Sequence, residues 1–470
     1  MDICLGQLQE VVGGKLHAGS MPPRDQELVS INRIVTDSRR VEQGDLFLGL
    51  NGPNHDGANF ADEAFARGAV GVLVSERSIE PWAGGFTLQV PDTTLALWQL
   101  AAWHRNRFTG QVIGITGSVG KTTTREMISA ALGTTGEVTA SPENFNNHIG
   151  VPLSLLQVGT TDDFAVMELG ASARGEIDGL ARLADPDIGI ITCVADAHLG
   201  SFGGREQIFK AKTELLAALS SEDYLAVSGD DARLRRAAQR SPAQTLTFGR
   251  SAQCDVFASE VAVDSGNLSF TVDSTRFRVP VWGRHHLGAA LAAIAVGRIY
   301  GLGDEIVADA LADFRPAPMR CEVVQIGDIT VINDAYNSSP TAMRAALQLM
   351  SDLETSGRRV VICGDMMELG QHSADLHNQL GREIVTKSGS DLLVCCGQFA
   401  GQVADGALLA GMPEKSVHSY DDPLQAASQL VELIQPSDVL LLKGSRALGM
   451  ERILDALVDA TPGGRPSVAA

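Results

Sequence analysis

Long apolar runs are missing from this 470-residue sequence. No stretch approaches the roughly 20 apolar residues that cross a bilayer, so no integral membrane segment is expected. Basic residues are scarce as well. Against 57 Asp and Glu stand 37 Lys and Arg, a formal net charge of −20. That balance argues against nucleic acid as a partner, although a basic pocket for a small anion remains compatible with it. Cysteines number seven, an odd count, and no pair has C-x-x-C spacing. Reduced thiols in a cytoplasm are therefore expected, rather than disulfides or a zinc site. The opening "MDICLGQLQEVVGG" has neither a basic n-region nor an apolar core, so no signal peptide is expected. Short-period repeats are lacking too, and "TPGGRPSVAA" reads as a disordered tail.

The chain is long enough for about three domains, each with its own core. Residues 1–108 mix short strands and helices, with "NFADEAFARGAVGVLV" read as helix then strand and "TTLALWQLAAWHRNRF" as an amphipathic helix. In 109–315, strands such as "FAVMEL" and "DIGIITCV" alternate with helical patterns, which predicts a mostly parallel sheet. Within that region "DVFASEVAVDSGNLSFTVDSTRFRVPV" reads as an antiparallel ribbon turning at "DSGN". The breaks in "FRPAPMR" set the next boundary. Residues 316–460 repeat strand and helix, a doubly wound Rossmann-like pattern with ligands expected at the carboxyl ends of its strands. The fold class expected is α/β in three domains: a small α/β domain, a P-loop domain and a Rossmann-like domain.

The chemistry centres on "VIGITGSVGKTTTREM", residues 112–127. A β-branched run ends at Thr116. Gly117 and Gly120 flank Ser118 and Val119, and from Thr122 the pattern turns helical. A glycine turn before a helix N-terminus is an anion site. Lys121 would reach terminal phosphates, and Thr122 would ligate Mg²⁺ beside Thr123. The common G-x-x-x-x-G-K-[ST] spacing is not met, since Ile115 stands where its first glycine would be. Glu168 ends the strand "FAVMEL", where it either binds a metal or faces solvent. His198 also follows a strand and is either structural or a ligand. In "REQIFKAKTELLAAL", Ile208, Lys212, Leu215, Leu216 and Leu219 share one helical face, which puts Lys212 on an apolar stripe. Lys210 instead has Glu206 and Glu214 four residues away on either side. A lysine on that stripe either snorkels out or is kept neutral and modified. Arg320, Asp334 and Pro340 begin the third domain's motifs. His372 and His377 are five apart, poor spacing for a metal pair. Lys443, Ser445 and Arg446 sit at a strand-to-helix turn, a second possible anion site.

Together, "TDSRRVEQGDLFLGLNG", "TGSVGKTTT", "NFNNHIGVPLSLL", "MELGAS", "AHLGSFGG", "KAKTELL", "GRHHLGAALAA", "NDAYNSSPTAMRAAL", "GDMMELG" and "LLKGSR" resemble the Mur ligases over nearly the whole chain. The "AYN-x-x-P", "MELG" and "KGSR" group resembles the members that add a dipeptide, and the D-N-P-R motif of those that bind diaminopimelate is absent. The resemblance implies an ATP-dependent ligase joining D-alanyl-D-alanine to a UDP-MurNAc-tripeptide through an acyl phosphate, in a cytoplasmic monomer. A related ligase adding another amino acid or dipeptide is the alternative, followed by a small-molecule kinase and a nucleotide-sensing scaffold.

Carried over residue by residue, the resemblance places Thr116 to Thr123 on ATP. It makes Thr122, Glu168, His198 and Lys212 ligands in two Mg²⁺ sites, with Lys212 carbamylated. Asn146 or Asn147 would lie near the phosphates, with His285, Arg320 and Asp334 reaching the nucleotide. Thr36, Asp37, Ser38 and Arg39 would meet the uridine nucleotide, and Tyr336, Asn337 and Lys443 the peptide end. The sequence departs from the family's G-R-H-N-x-x-N at His286 and Ala289. It also departs at Asn333, where an acidic residue is usual, at Ser338 and Ser339, and in "NHDGANF".

Overall fold

The structure, a computed structural model, describes residues 3–26, 28–52, 56–75, 79–197, 199–461 and 467–468. His198, and Asn54 and His55 of "NHDGANF", lie outside the described residues.

Three larger sheets, of five, seven and seven strands, organise the described residues, and each follows from its apolar runs. The first has five strands in the order Lys15–His17, Phe86–Val90, Gly71–Ser75, Leu46–Leu48 and Ile34–Val35, parallel except for the Lys15–His17 edge. Asp92 caps the helix Thr93–Arg105, accepting from the backbone N–H groups of Thr94 and Leu95. The buried face of that helix joins a core running on into the second sheet through Leu97, Leu100, Val151 and Leu180.

The second sheet is parallel throughout. At its centre Gln111–Thr116 lies between Phe164–Glu168 and Ile188–Ile191. Both faces are covered, which explains near-continuous runs such as "VIGIT" in place of alternation. The ribbon forms three strands, Ser259–Asp264, Asn267–Val272 and Thr275–Val279. Stacked Phe270 and Phe277 tie it to the core.

The third sheet has seven strands. Five are parallel, in the order Val417–Tyr420, Leu392–Cys396, Arg359–Gly364, Val439–Lys443 and Ile329–Asn333. Glu322–Ile326 adds antiparallel, and Ser467–Val468 pairs beyond it. Within the segment read as a disordered tail, Ser467 and Val468 instead pair opposite Gln325 and Val324, while 462–466 and 469–470 lie outside the described residues. Among the described residues no helix is long and apolar enough to cross a membrane.

Candidate active site

The glycine turn does what its residues predict. Gly117 and Gly120 have φ of 148° and 84°, and a Cβ on Gly117 would collide with the Thr192 side chain. The helix begins at Lys121, one residue before the expected Thr122. The turn is pinned to the end of the neighbouring strand: Ser118 Oγ donates to the Ala195 carbonyl at 2.9 Å and Thr192 Oγ1 to that of Val119 at 2.7 Å. Lys121 Nζ rests on the Gly117 carbonyl at 3.2 Å. Thr116 is fully buried and does not line the cavity described below.

Glu168 does not face solvent. It is buried at the end of its strand and gathers donors from three directions. Thr122 Oγ1 donates to Oε2 at 2.8 Å, Asn146 Nδ2 donates to Oε1 at 2.8 Å, and Arg125 lies 3.6 Å away. Arg320 Nη2 reaches the same Thr122 hydroxyl at 3.0 Å from the far side of the 314–320 segment, its guanidinium stacked over Tyr336. The two adjacent asparagines differ. Asn146 serves Glu168, whereas the Asn147 side-chain Oδ1 accepts from the N–H groups of Ile149 and Gly150 at the entry to the next helix.

Lys212 is 2% exposed at the end of the helix Arg205–Lys212, after which the chain tightens into a 3₁₀ turn over Thr213–Ala218. Ile208, Leu215 and Leu219 are buried with it, and Leu216 only partly. Among the described residues no carboxylate pairs with its ammonium, and the Phe202 ring stands 5.6 Å from Nζ. Burial, reinforced by the nearby Lys121 charge, pulls its pKa down to about 7. Lys210 is half-exposed and paired with Glu206 at 3.7 Å. Glu214 is not its second partner: the Glu214 carboxylate accepts from the N–H groups of Gly175 and Asp178.

Lys212 does not line the cavity described below, whereas Lys443, which closes its strand and is also 2% exposed, does. Lys443 donates to Asp334 Oδ2 at 2.6 Å and to the Asn337 carbonyl at 2.8 Å. Asp334 Oδ1 accepts from the Cys321 N–H at 3.2 Å. Lys443 is therefore engaged inside the fold and also lines the cavity described below. Tyr336 and Asn337 follow Asp334, and Ser339 with Pro340 starts the next helix. His377 is buried and accepts from the Met366 N–H.

These walls enclose a cavity of about 960 Å³ lined by Lys121, Thr122, Asn146, Asn147, Glu168, His285, Arg320, Asp334, Tyr336, Asn337 and Lys443. Below it the two halves touch through bare backbone. Gly200 N–H donates to the Glu368 carbonyl at 2.9 Å, and a Cβ on Gly200 would lie 2.5 Å from the Gly370 nitrogen. Thr36, Asp37, Ser38 and Arg39 do not line this cavity. Asp37 pairs with Arg39 at 2.8 Å, and Ser38 donates to Glu63 at 2.6 Å.

Comparison with known proteins places this geometry. The Mur ligase middle domain matches residues 115–297, the Mur ligase, glutamate ligase domain residues 319–446, and the Mur ligase family, catalytic domain residues 30–101. The chain belongs to the Mur ligase family. As a Mur ligase it is an ATP-dependent enzyme. A Bacillus subtilis relative, named UDP-N-acetylmuramoyl-tripeptide–D-alanyl-D-alanine ligase, is 35% identical over 94% of this chain and 96% of its own length. An Escherichia coli protein of the same name is 31% identical over 97% and 98%. The crystal structure of MurF from Acinetobacter baumannii has a TM-score of 0.86 at 34% identity, covering 97% of this chain and 99% of that one. MurF from Thermotoga maritima, solved in complex with ADP, has a TM-score of 0.78 at 28% identity over 90% and 96%.

Three contacts of this Mur ligase site were not visible in the sequence: Arg320 to Thr122, Lys443 to Asp334, and Cys321 to His285 at 3.4 Å. Each joins residues 36 to 198 positions apart, beyond the reach of periodicity.

Proposed function

We propose that this chain joins D-alanyl-D-alanine to the terminal carboxylate of a UDP-MurNAc-tripeptide, using ATP, as the last cytoplasmic step of the nucleotide-linked pentapeptide in peptidoglycan synthesis. One observation carries the reading: Arg320 of the C-terminal segment reaches the hydroxyl of the phosphate-loop threonine, so both halves of the chain address one reaction centre. A bare carboxylate is a poor acylating agent. In the reaction a carboxylate oxygen attacks the γ-phosphorus, the bond to ADP breaks, and the amine then displaces inorganic phosphate as the amide forms. Little covalent work falls to the protein, which positions reactants and balances charge.

The loop N–H groups and Lys121 hold the phosphates in this reading. Thr122 and Glu168 present hard oxygen donors that suit Mg²⁺, and the ion would neutralise phosphate charge there. Lys212 reacts with CO₂ as a neutral amine: its nitrogen bonds the carbon, a proton leaves, and the resulting carbamate carries an oxygen ligand for a second Mg²⁺ alongside His198. A pKa near 7 keeps the amine available for that step. Asn146 orients Glu168, while Asn147 and His285 border the nucleotide. The Lys443–Asp334 pair fixes the turn that presents Tyr336 and Asn337 to the incoming dipeptide. The Thr36–Arg39 turn serves the uridine end, and the chain acts as a cytoplasmic monomer. The domains divide at 108/109 and 315/316.

Phosphate release tests this reading with each substrate omitted in turn. Release that requires ATP, the UDP-MurNAc-tripeptide and D-alanyl-D-alanine together is expected. A single amino acid serving better than the dipeptide would point to a related ligase. A stable phosphorylated product formed without any amine would overturn the ligase reading in favour of a kinase.

A further inference from the structure

On the cavity wall away from Glu168 the donor set changes from oxygen to nitrogen and sulfur. His285, His286 and Cys321 each offer a ligand atom, and the three atoms lie within 4.8 Å of one another. Cys321 Sγ is 3.4 Å from His285 Nε2, and the imidazole centroids are 4.1 Å apart. A tetrahedral ion with bonds of about 2.0–2.1 Å to nitrogen and 2.3 Å to sulfur separates such atoms by roughly 3.3–3.6 Å, so closing the set takes at most about 1.5 Å between any two ligand atoms.

The second observation is a buried imidazole with nothing to bind. His286 is only 5% exposed, and its Nε2 has no hydrogen-bond partner among the described residues. An orphaned polar atom at this depth is costly unless a ligand meets it. Cys321 is itself buried and its backbone is held at φ 52°, its N–H anchored on Asp334.

We propose that His285, His286 and Cys321 form a site for a thiophilic divalent cation of the zinc class, with its fourth position open to the cavity. Imidazole and thiolate suit Zn²⁺ and Co²⁺, whereas Mg²⁺ prefers the oxygen set at Glu168, so the two kinds of ion sort between the walls. Binding replaces the thiol proton: one sulfur–metal bond forms and one proton is released per ion. Because His285 borders the nucleotide in the function proposed above, an ion bound here competes with ATP.

The test uses the full chain, stripped of metal, with Co²⁺ as the first probe. One ion per chain should bind with a thiolate-to-cobalt charge-transfer band, which Zn²⁺ then bleaches, and calorimetry in buffers of different ionisation enthalpy should report one proton released. The band should vanish in C321S and persist in C193S. H286N keeps the thiol and should weaken Co²⁺ binding by more than the roughly 10–100-fold that loss of an outer partner costs, which keeps the test open if C321S does not fold. An absent band, a band that survives in C321S, or H286N affinity equal to wild type would overturn the site. Zinc should also raise the apparent Kd for ATP in wild type and not in C321S. Binding with the band but no effect on ATP would overturn the competition alone and leave the ligase reading to its own phosphate-release test.

Discussion

Lys212 and Lys443 are equally buried, each 2% exposed, but Lys443 lines the cavity whereas Lys212 is not among its lining residues. Their surroundings differ completely. Lys443 meets a carboxylate and two backbone carbonyls, so all three of its donors are used. Lys212 meets aliphatic side chains and an aromatic ring, with no carboxylate partner among the described residues. A buried cation that the fold pairs is a structural strut. A buried amine left unpaired is costly as a cation, and so is poised to lose its charge and react. Equal burial therefore means opposite things, and the partner list tells them apart.

The comparison can be broken by substitution. The largest effect is expected from Lys212→Ala, which should lower turnover by 10²-fold or more, as for a lost preorganised group, with acetate or formate restoring part of it. Lys121→Ala should fall in the same range with no rescue by acids. If acids rescue neither and Lys212 carries no carbamate in a crystal, the modification is wrong.

Stability sharpens the contrast. Lys443→Met leaves the partly buried Asp334 carboxylate without its cation, so denaturant unfolding should show a loss on the order of 3 kcal/mol, largely recovered by adding Asp334→Asn. Lys212→Met should fold at least as stably as wild type while remaining inactive. A marked loss in Lys212→Met would mean that Lys212 has a structural partner after all.

A smaller effect is expected with pH, measured free of CO₂. Lys212 has its pKa lowered to about 7 from an ordinary 10.4, so between those values the unfolded chain binds more protons and stability rises with pH. Below pH 7 the whole cost of the buried cation is present. The advantage of Lys212→Met over wild type should thus be largest near pH 7 and shrink towards pH 10, by an amount on the order of a few kcal/mol. A difference that is flat in pH would show that the amine titrates normally. The smallest effect belongs to Lys210→Ala, whose solvent-exposed pair with Glu206 is screened by water, so stability should hardly change and activity should stay near normal.

Local signals made much of this legible. The run from Val112 to Met127 announces strand, turn and helix because glycine and β-branched residues act on their immediate neighbours. Helical periodicity separates Lys212 from Lys210 even though the helix tightens beyond Lys212, since the face is set before that point. What the periodicity cannot show is whether a stripe lysine has a partner. Glu214, four residues after Lys210, looks like its mate, yet it caps a different helix at Gly175 and Asp178. Asp334 and Lys443 each read as a ligand-facing end of a strand, and only the sheet order, which sets Ile329–Asn333 beside Val439–Lys443, reveals that they face each other. Tertiary pairing over a hundred residues has no local signature.

The bare-backbone approach of Gly200 to Gly370 turns substrate affinity into a question of populations. Two side chains are missing where the halves of the molecule meet, so an alanine at either position tilts the equilibrium between apposed and separated halves without touching any ligand. Gly370 also has φ 57°, which adds backbone strain to the clash. Whatever needs both walls binds only to the apposed fraction, and its apparent dissociation constant scales inversely with that fraction. An alanine that lowers the fraction tenfold, about 1.4 kcal/mol, should therefore weaken every ligand that needs both walls by the same factor.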